Sequence, residues 1–281
     1  MENSFYTPSE VIKSNIKSAV AKANLPLAKM ILLGMMAGAF IAFGGAASSV
    51  AAHGVADVGL ARSIAGAIFP VGLMLVVFTG SELFTGNSLM IMAVIDKKIT
   101  LLKMIRNLVV VYFANFIGAL IIDVLVFLSG QFDFSGGGLG AYTIKVAIAK
   151  TSIAPVTAVI SGILCNILVC LAIVLAGTAK DSIGRIFGIF FPIAAFVVCG
   201  FEHCVANMFY IPAGMLAATN TAYVQKAQEL YGITAQQCSS LTHFAGTESL
   251  LFVTIGNIIG GVLFVGVVLY MVHIKLSGKK S

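Results

Sequence analysis

Glu202 and His203 stand side by side in the stretch GFEHCVANMF, with IFGIFFPIAAFVVC before it and YIPAGMLAA after it. A carboxylate accepts hydrogen bonds or holds a cation. An imidazole, with an ordinary pKa of about 6.5, donates a hydrogen bond or a proton near neutral pH. In hydrocarbon both groups are costly, and an ionisable residue at membrane depth is by default a functional one. A second glutamate, Glu82, lies in FTGSELFTGN, again among apolar residues. Glu202–His203 has the right types for acid–base catalysis, but no HExxH, GxSxG or paired catalytic aspartates accompany it. The residues therefore fit the handling of a small solute rather than an enzyme.

Composition sets the medium that these residues occupy. The 281-residue chain is 59% hydrophobic and 10% charged, where a soluble domain carries about 25% charged residues. Its mean hydropathy is +1.03. Apolar spans at 27–51, 61–95, 104–129, 153–177, 183–218 and 247–274 each reach the roughly 20 residues a transmembrane helix needs. The opening MENSFYTPSEVIKSN is polar and does not read as a cleavable signal. Cys165, Cys170, Cys199 and Cys204 lie in the spans without pairing or metal spacing and read as core residues, so no metal or cofactor is expected.

The net charge of +6 is a topology signal rather than a nucleic-acid footprint. With six spans, one face collects Lys13, Lys17, Lys22 and Lys29, the connection with Lys97, Lys98, Lys103 and Arg106, then Lys180 and Arg185, and the tail with Lys275, Lys279 and Lys280. Only Arg62, Lys145, Lys150 and Lys226 fall on the other. The positive-inside rule then places both termini in the cytoplasm. Ahead of the first span, TPSE reads as a capping box with Thr7 as N-cap, Pro8 at N1 and Glu10 at N3. It opens an amphipathic helix running to about Ala23, a gate or an interfacial anchor.

The chain repeats itself. FPVGLMLVVFTGSELFTGN and FPIAAFVVCGFEHCVAN both open on Phe-Pro and run to a glycine, then give Glu82 with Asn87 and Glu202 with Asn207. The third and sixth spans share Asn-x-x-Gly, at Asn115 and Asn257. Three spans per repeat is an odd number, so the second repeat enters the membrane inverted. The organisation expected is a cytoplasmic segment 1–26, a first repeat 27–129, an extracytoplasmic connection 130–152, a second repeat 153–274 and a cytoplasmic tail 275–281. Inverted repeats place sites at interrupted helices near the midplane. Spans two and five run about 35 residues, more than 50 Å at about 1.5 Å per residue against a core of about 30 Å, so each is expected to break near its Gly–Glu cluster.

Two broken helices facing each other aim backbone N–H groups and positive dipole ends at one cavity. Thr85 and His203 add donors, and the field suits a small anion. Lys150 either attracts that anion or marks the membrane boundary. Phe69, Leu73, Phe84 and Phe196 would make narrow apolar constrictions. Glu82 and Glu202, at equivalent repeat positions, are expected to accept hydrogen bonds from freed backbone N–H groups. Asn87, Asn207, Asn115 and Asn257 are expected to join helices. His203 has no repeat counterpart, Leu83 taking its place, which favours a functional role. A neutral-solute pore of the aquaporin type would need Asn-Pro-Ala at the half-helices, and neither SELFTGN nor FEHCVAN supplies it.

The motifs FTGSELFTGN, AKT…GILCNILVCLA and GFEHCVANMFYIP, in that order, resemble the formate/nitrite transporter family over essentially the whole chain. The resemblance implies an all-α polytopic protomer of six helices with an aquaporin-like fold, in a homopentamer with one pore per protomer, in the cytoplasmic membrane of a bacterium. It matches Thr85 to the loop threonine, His203 to the central histidine, Lys150 and Asn166 to the lysine and asparagine near it, and Phe69, Leu73, Phe84 and Phe196 to constriction positions. It implies small monovalent weak-acid anions as cargo. AKTSIAPVTAVISGILCNILVCLA is closer to the nitrite and hydrosulfide branches, which makes hydrosulfide the leading expectation, with formate or nitrite as the alternative. SELFTGN departs from the formate-type pattern, which has Asp in place of Glu82.

Overall fold

The computed structural model describes residues 5–277; Lys279 and Lys280 of the basic tail lie outside the described residues. Helix α1 (Pro8–Ala23) starts at the expected capping box, with Thr7 and Glu10 exchanging side-chain and backbone hydrogen bonds. The chain continues through α2 (Leu27–Ala52), α3 (Val58–Thr79), α4 (Phe84–Ile95), α5 (Leu101–Leu128) and α6 (Phe134–Thr151). Then follow α7 (Pro155–Thr178), α8 (Ser182–Cys199), α9 (Cys204–Ala217), α10 (Thr221–Tyr231), the short α11 (Ala235–Ser239) and α12 (Phe244–Lys275). Six of these, α2, α3, α5, α7, α8 and α12, are long and apolar enough to cross a membrane. Their outer faces carry rows of exposed Leu, Ile, Val and Phe, as lipid-facing helices must.

Spans two and five break where the sequence indicated. Helix α3 ends at Gly80 (φ +69°) and α8 at Gly200 (φ +73°), both in the left-handed region that glycine adopts without a Cβ penalty. The next N–H in each case turns back onto the helix, Ser81 to the Val76 carbonyl and Phe201 to the Phe196 carbonyl, both at 3.0 Å. Three residues after each glycine the backbone is extended, at Leu83 and at His203, and a new half-helix begins.

Small residues bring the neighbouring spans close. A side chain on Gly38 or Gly118 would run into the backbone of Asn115 or Met35, which locks α2 onto α5. Gly256 and Gly260 meet the backbone of Val159 and Ile163 in the same way, locking α12 onto α7. The connection at 130–152 is mostly helix α6, packed on α9 and α10.

Candidate functional site: two clusters around a central pair

Each break is held by the same set of side chains. Asn115 on α5 accepts from the Phe84 N–H at 3.0 Å and donates to the carbonyls of Gly34 and Glu82. Asn257 on α12 accepts from the Cys204 N–H at 2.9 Å and donates to the carbonyls of Gly162 and Glu202. The asparagines therefore do more than join helices. They satisfy the polar backbone that each break frees at membrane depth, where water cannot.

This corrects the role expected of the glutamates. Glu82 and Glu202 do not take up freed backbone N–H groups; each takes a lysine and an asparagine. Lys150 Nζ lies 2.6 Å from Glu202 Oε1, and Asn207 donates to Glu202 Oε2 at 2.7 Å. Lys22 Nζ lies 3.0 Å from Glu82 Oε1, and Asn87 donates to Glu82 Oε2 at 2.7 Å. A buried carboxylate needs a counter-charge more than another neutral donor, and the neutral asparagines suffice for the backbone. Lys22 is a site residue that sequence reasoning missed. Its signal is in the sequence: Ala21-Lys22 precedes Pro26 much as Ala149-Lys150 precedes Pro155.

The clusters are not identical. Lys22 also donates to Asn87 Oδ1 at 2.7 Å. Lys150 bonds Glu202 alone among carboxylates and amides, and Asn207 Oδ1 has no partner among the described residues.

Between the clusters lies the central pair. Thr85 Oγ1 and His203 Nε2 are 2.9 Å apart and buried. The other ring nitrogen, Nδ1, accepts the Ala206 N–H at 3.1 Å and so caps α9. Nδ1 is therefore unprotonated, and a neutral ring carries its hydrogen on Nε2, pointing at Thr85. Asn166 is buried beside the Thr85 loop. Its amide donates to the carbonyls of Thr85 and Asn257 and fixes the loop from behind.

Two cavities approach this pair from opposite sides. The near one, on the side of α1, holds about 500 Å³ and is lined by Lys22, Lys29, Leu73, Glu82 and Leu83. The far one holds about 370 Å³ and is lined by Phe69, Lys150, Phe196, His203 and Tyr210. Phe69 and Phe196 meet edge to face at 5.6 Å, and Phe196 stacks on the His203 ring at 5.8 Å. Of the four apolar residues expected at constrictions, Phe69, Leu73 and Phe196 line these cavities. Phe84 opens α4 next to Thr85, buried, with its ring on Tyr112 of α5 at 5.0 Å.

A family model described as formate/nitrite transporter matches residues 9–271. The chain belongs to the formate/nitrite transporter family. It is similar to a protein of Methanothermobacter thermautotrophicus named "Probable formate transporter", 38% identical over 98% of this chain and 100% of that one. It is also similar to the formate channel FocA of Haemophilus influenzae, 36% identical over 93% of this chain and 92% of that one. A solved structure described as a pentameric formate channel with formate bound covers 88% of this chain and 97% of its own, at 31% identity and a TM-score of 0.78. As a member of the formate/nitrite transporter family the chain is a multi-pass membrane transporter and not an enzyme. These relatives carry formate in their names, where the branch expected from AKTSIAPVTAVISGILCNILVCLA is hydrosulfide.

Proposed function

We propose that this protein is a channel for small monovalent weak-acid anions with formate as its principal cargo, a homopentamer with one pore per protomer and both termini in the cytoplasm. The observation that carries the reading is the Thr85–His203 pair, set between two charged clusters at the meeting of two broken helices. The relatives named for formate support the choice of cargo. The excess of basic residues on the α1 side supports the orientation, so the near cavity opens to the cytoplasm.

Hydrogen-bond directions define what the centre does. The Ala206 N–H donates to His203 Nδ1, the His203 Nε2–H donates to Thr85 Oγ1, and the Thr85 hydroxyl keeps its own proton for the passage. Each donor polarises the next, so the chain ends in a strengthened donor aimed where an anion must pass. His203 acts here as a hydrogen-bond donor. Releasing a full proton from imidazolium would first require Nδ1–H, and that breaks the cap on Ala206. The proton that lets a weak acid pass the rings of Phe69 and Phe196 uncharged therefore comes from solvent in a vestibule. Discharge there removes the desolvation cost that stops the ion. Lys150, held by Glu202, keeps N–H donors for the arriving anion.

Flux into proteoliposomes with formate, nitrite and hydrosulfide side by side tests the reading. The expected order puts formate first. Hydrosulfide crossing faster than formate would reverse the cargo assignment, and permeation by neutral solutes alone would remove the anion reading altogether.

A further inference from the structure

We propose that Arg62 and Lys145 form an outer anion-binding site at the mouth of the far vestibule, loading small monovalent anions ahead of Lys150 and His203. The proposal rests on the anion-channel reading above. Four basic residues fall on the face away from α1, and three of them (Arg62, Lys145 and Lys150) line the same cavity as His203. Basic residues on that face run against the charge rule that orients the chain. Their convergence on one cavity is therefore not a boundary effect.

The two outer cations are held in place without being neutralised. Among the described residues the ion pairs are Lys22–Glu82, Lys150–Glu202 and Lys226–Glu229, so neither Arg62 nor Lys145 faces a carboxylate. Arg62 Nη1 donates to the Val198 carbonyl at 3.2 Å, in the last turn of α8, and the rest of its planar fork stays available. Gly200 makes room for it, since a Cβ there would sit 2.6 Å from Nη1. Lys145 Nζ lies 4.3 Å from the centre of the Tyr231 ring, a contact that positions an ammonium and leaves its charge intact. With Glu202 counted, the far vestibule has three cations to one carboxylate; the near one has Lys22 and Lys29 to Glu82. The asymmetry marks the far mouth as the place where an anion is first concentrated.

The test is equilibrium binding of ¹³C-formate to the purified full chain, read as line broadening, alongside formate flux into proteoliposomes. The double variant Arg62→Gln/Lys145→Gln is expected to bind about tenfold more weakly, with the gap closing in high inert salt. Its half-saturating concentration in flux should rise by a similar factor. Arg62→Lys/Lys145→Arg keeps the charge and is expected to retain wild-type binding. Unchanged binding in the first variant, or equal loss in both, would overturn the site, as would a wild type that shows no broadening. A wild type that binds formate and does not conduct it would leave the site standing and remove the channel function.

Discussion

The two helix breaks share one backbone and differ at the side chains of the central pair, Leu83 against His203 and Thr85 against Val205. Leu83 has φ −106° and ψ 124°, His203 φ −112° and ψ 116°. Both follow a left-handed glycine and a buried glutamate, and both are backed by an asparagine that caps the new half-helix. Yet Leu83 makes no side-chain cap, whereas His203 caps Ala206 and reaches across to Thr85 on the opposite break. The scaffold is thus built twice and the chemistry once. The duplicated asparagines and glycines hold an open backbone at membrane depth; the unduplicated His203–Thr85 pair is the proposed donor to the cargo, and Lys150, though matched by Lys22, also lines the far cavity.

Variants made in pairs, one at each break, sharpen that division. The largest effect is expected from the glutamates. Glu202→Gln strands a lysine beside an uncharged amide, and breaking a buried pair costs about 3 to 5 kcal/mol. Glu82→Gln should cost less, because the Lys22 side chain is 27% exposed against 19% for Lys150. Thermal unfolding in detergent checks the order, and a greater loss at Glu82 would contradict it.

Next come the asparagines. Asn115→Ala and Asn257→Ala each leave one buried N–H and two carbonyls without their amide, at about 1 to 3 kcal/mol for a buried group. Because the bonds match one for one, the two losses should agree. A clear difference between the melting curves would show that the repeats do not share the work equally.

The smallest effect belongs to the glycines. Gly80→Ala meets open space and carries only the left-handed penalty, about 1 kcal/mol. Gly200→Ala adds an overlap with the tip of the Arg62 side chain, a flexible end that can swing aside, so it should displace the guanidinium while its melting loss stays close to that of Gly80→Ala. A clearly larger loss for Gly200→Ala would mean the guanidinium is held too firmly against the break to move aside.

Much of this is legible in the sequence, and the failures have physical causes. The spans follow from hydropathy and length, and the breaks from the excess length of spans two and five with a glycine before each glutamate. The centre is legible because His203 lacks a repeat partner. The glutamates stand where the sequence puts them but hold other partners than it suggests. Their lysines lie 60 or 52 residues away (Lys22 to Glu82, Lys150 to Glu202), and spacing cannot reveal a contact that the fold creates. Cargo is the least legible feature. The centre offers the Thr85 hydroxyl, strengthened by the imidazole N–H behind it, and that donor serves formate, nitrite and hydrosulfide alike.

The central claim is that His203 works as a donor through Nε2 while Nδ1 does a structural job, and His203→Asn separates the two. Asparagine is a good N-cap, so it can replace Nδ1 toward the Ala206 N–H, but it is too short to replace Nε2 toward Thr85. The measurement is initial formate flux into proteoliposomes at matched protein content, with the melting temperature of the same preparation recorded beside it. The predicted result is a melting temperature near that of wild type and flux lowered at least about tenfold, equivalent to about 1.4 kcal/mol at the barrier. Wild-type flux from a stably folded His203→Asn variant would contradict the claim and return His203 to the scaffold.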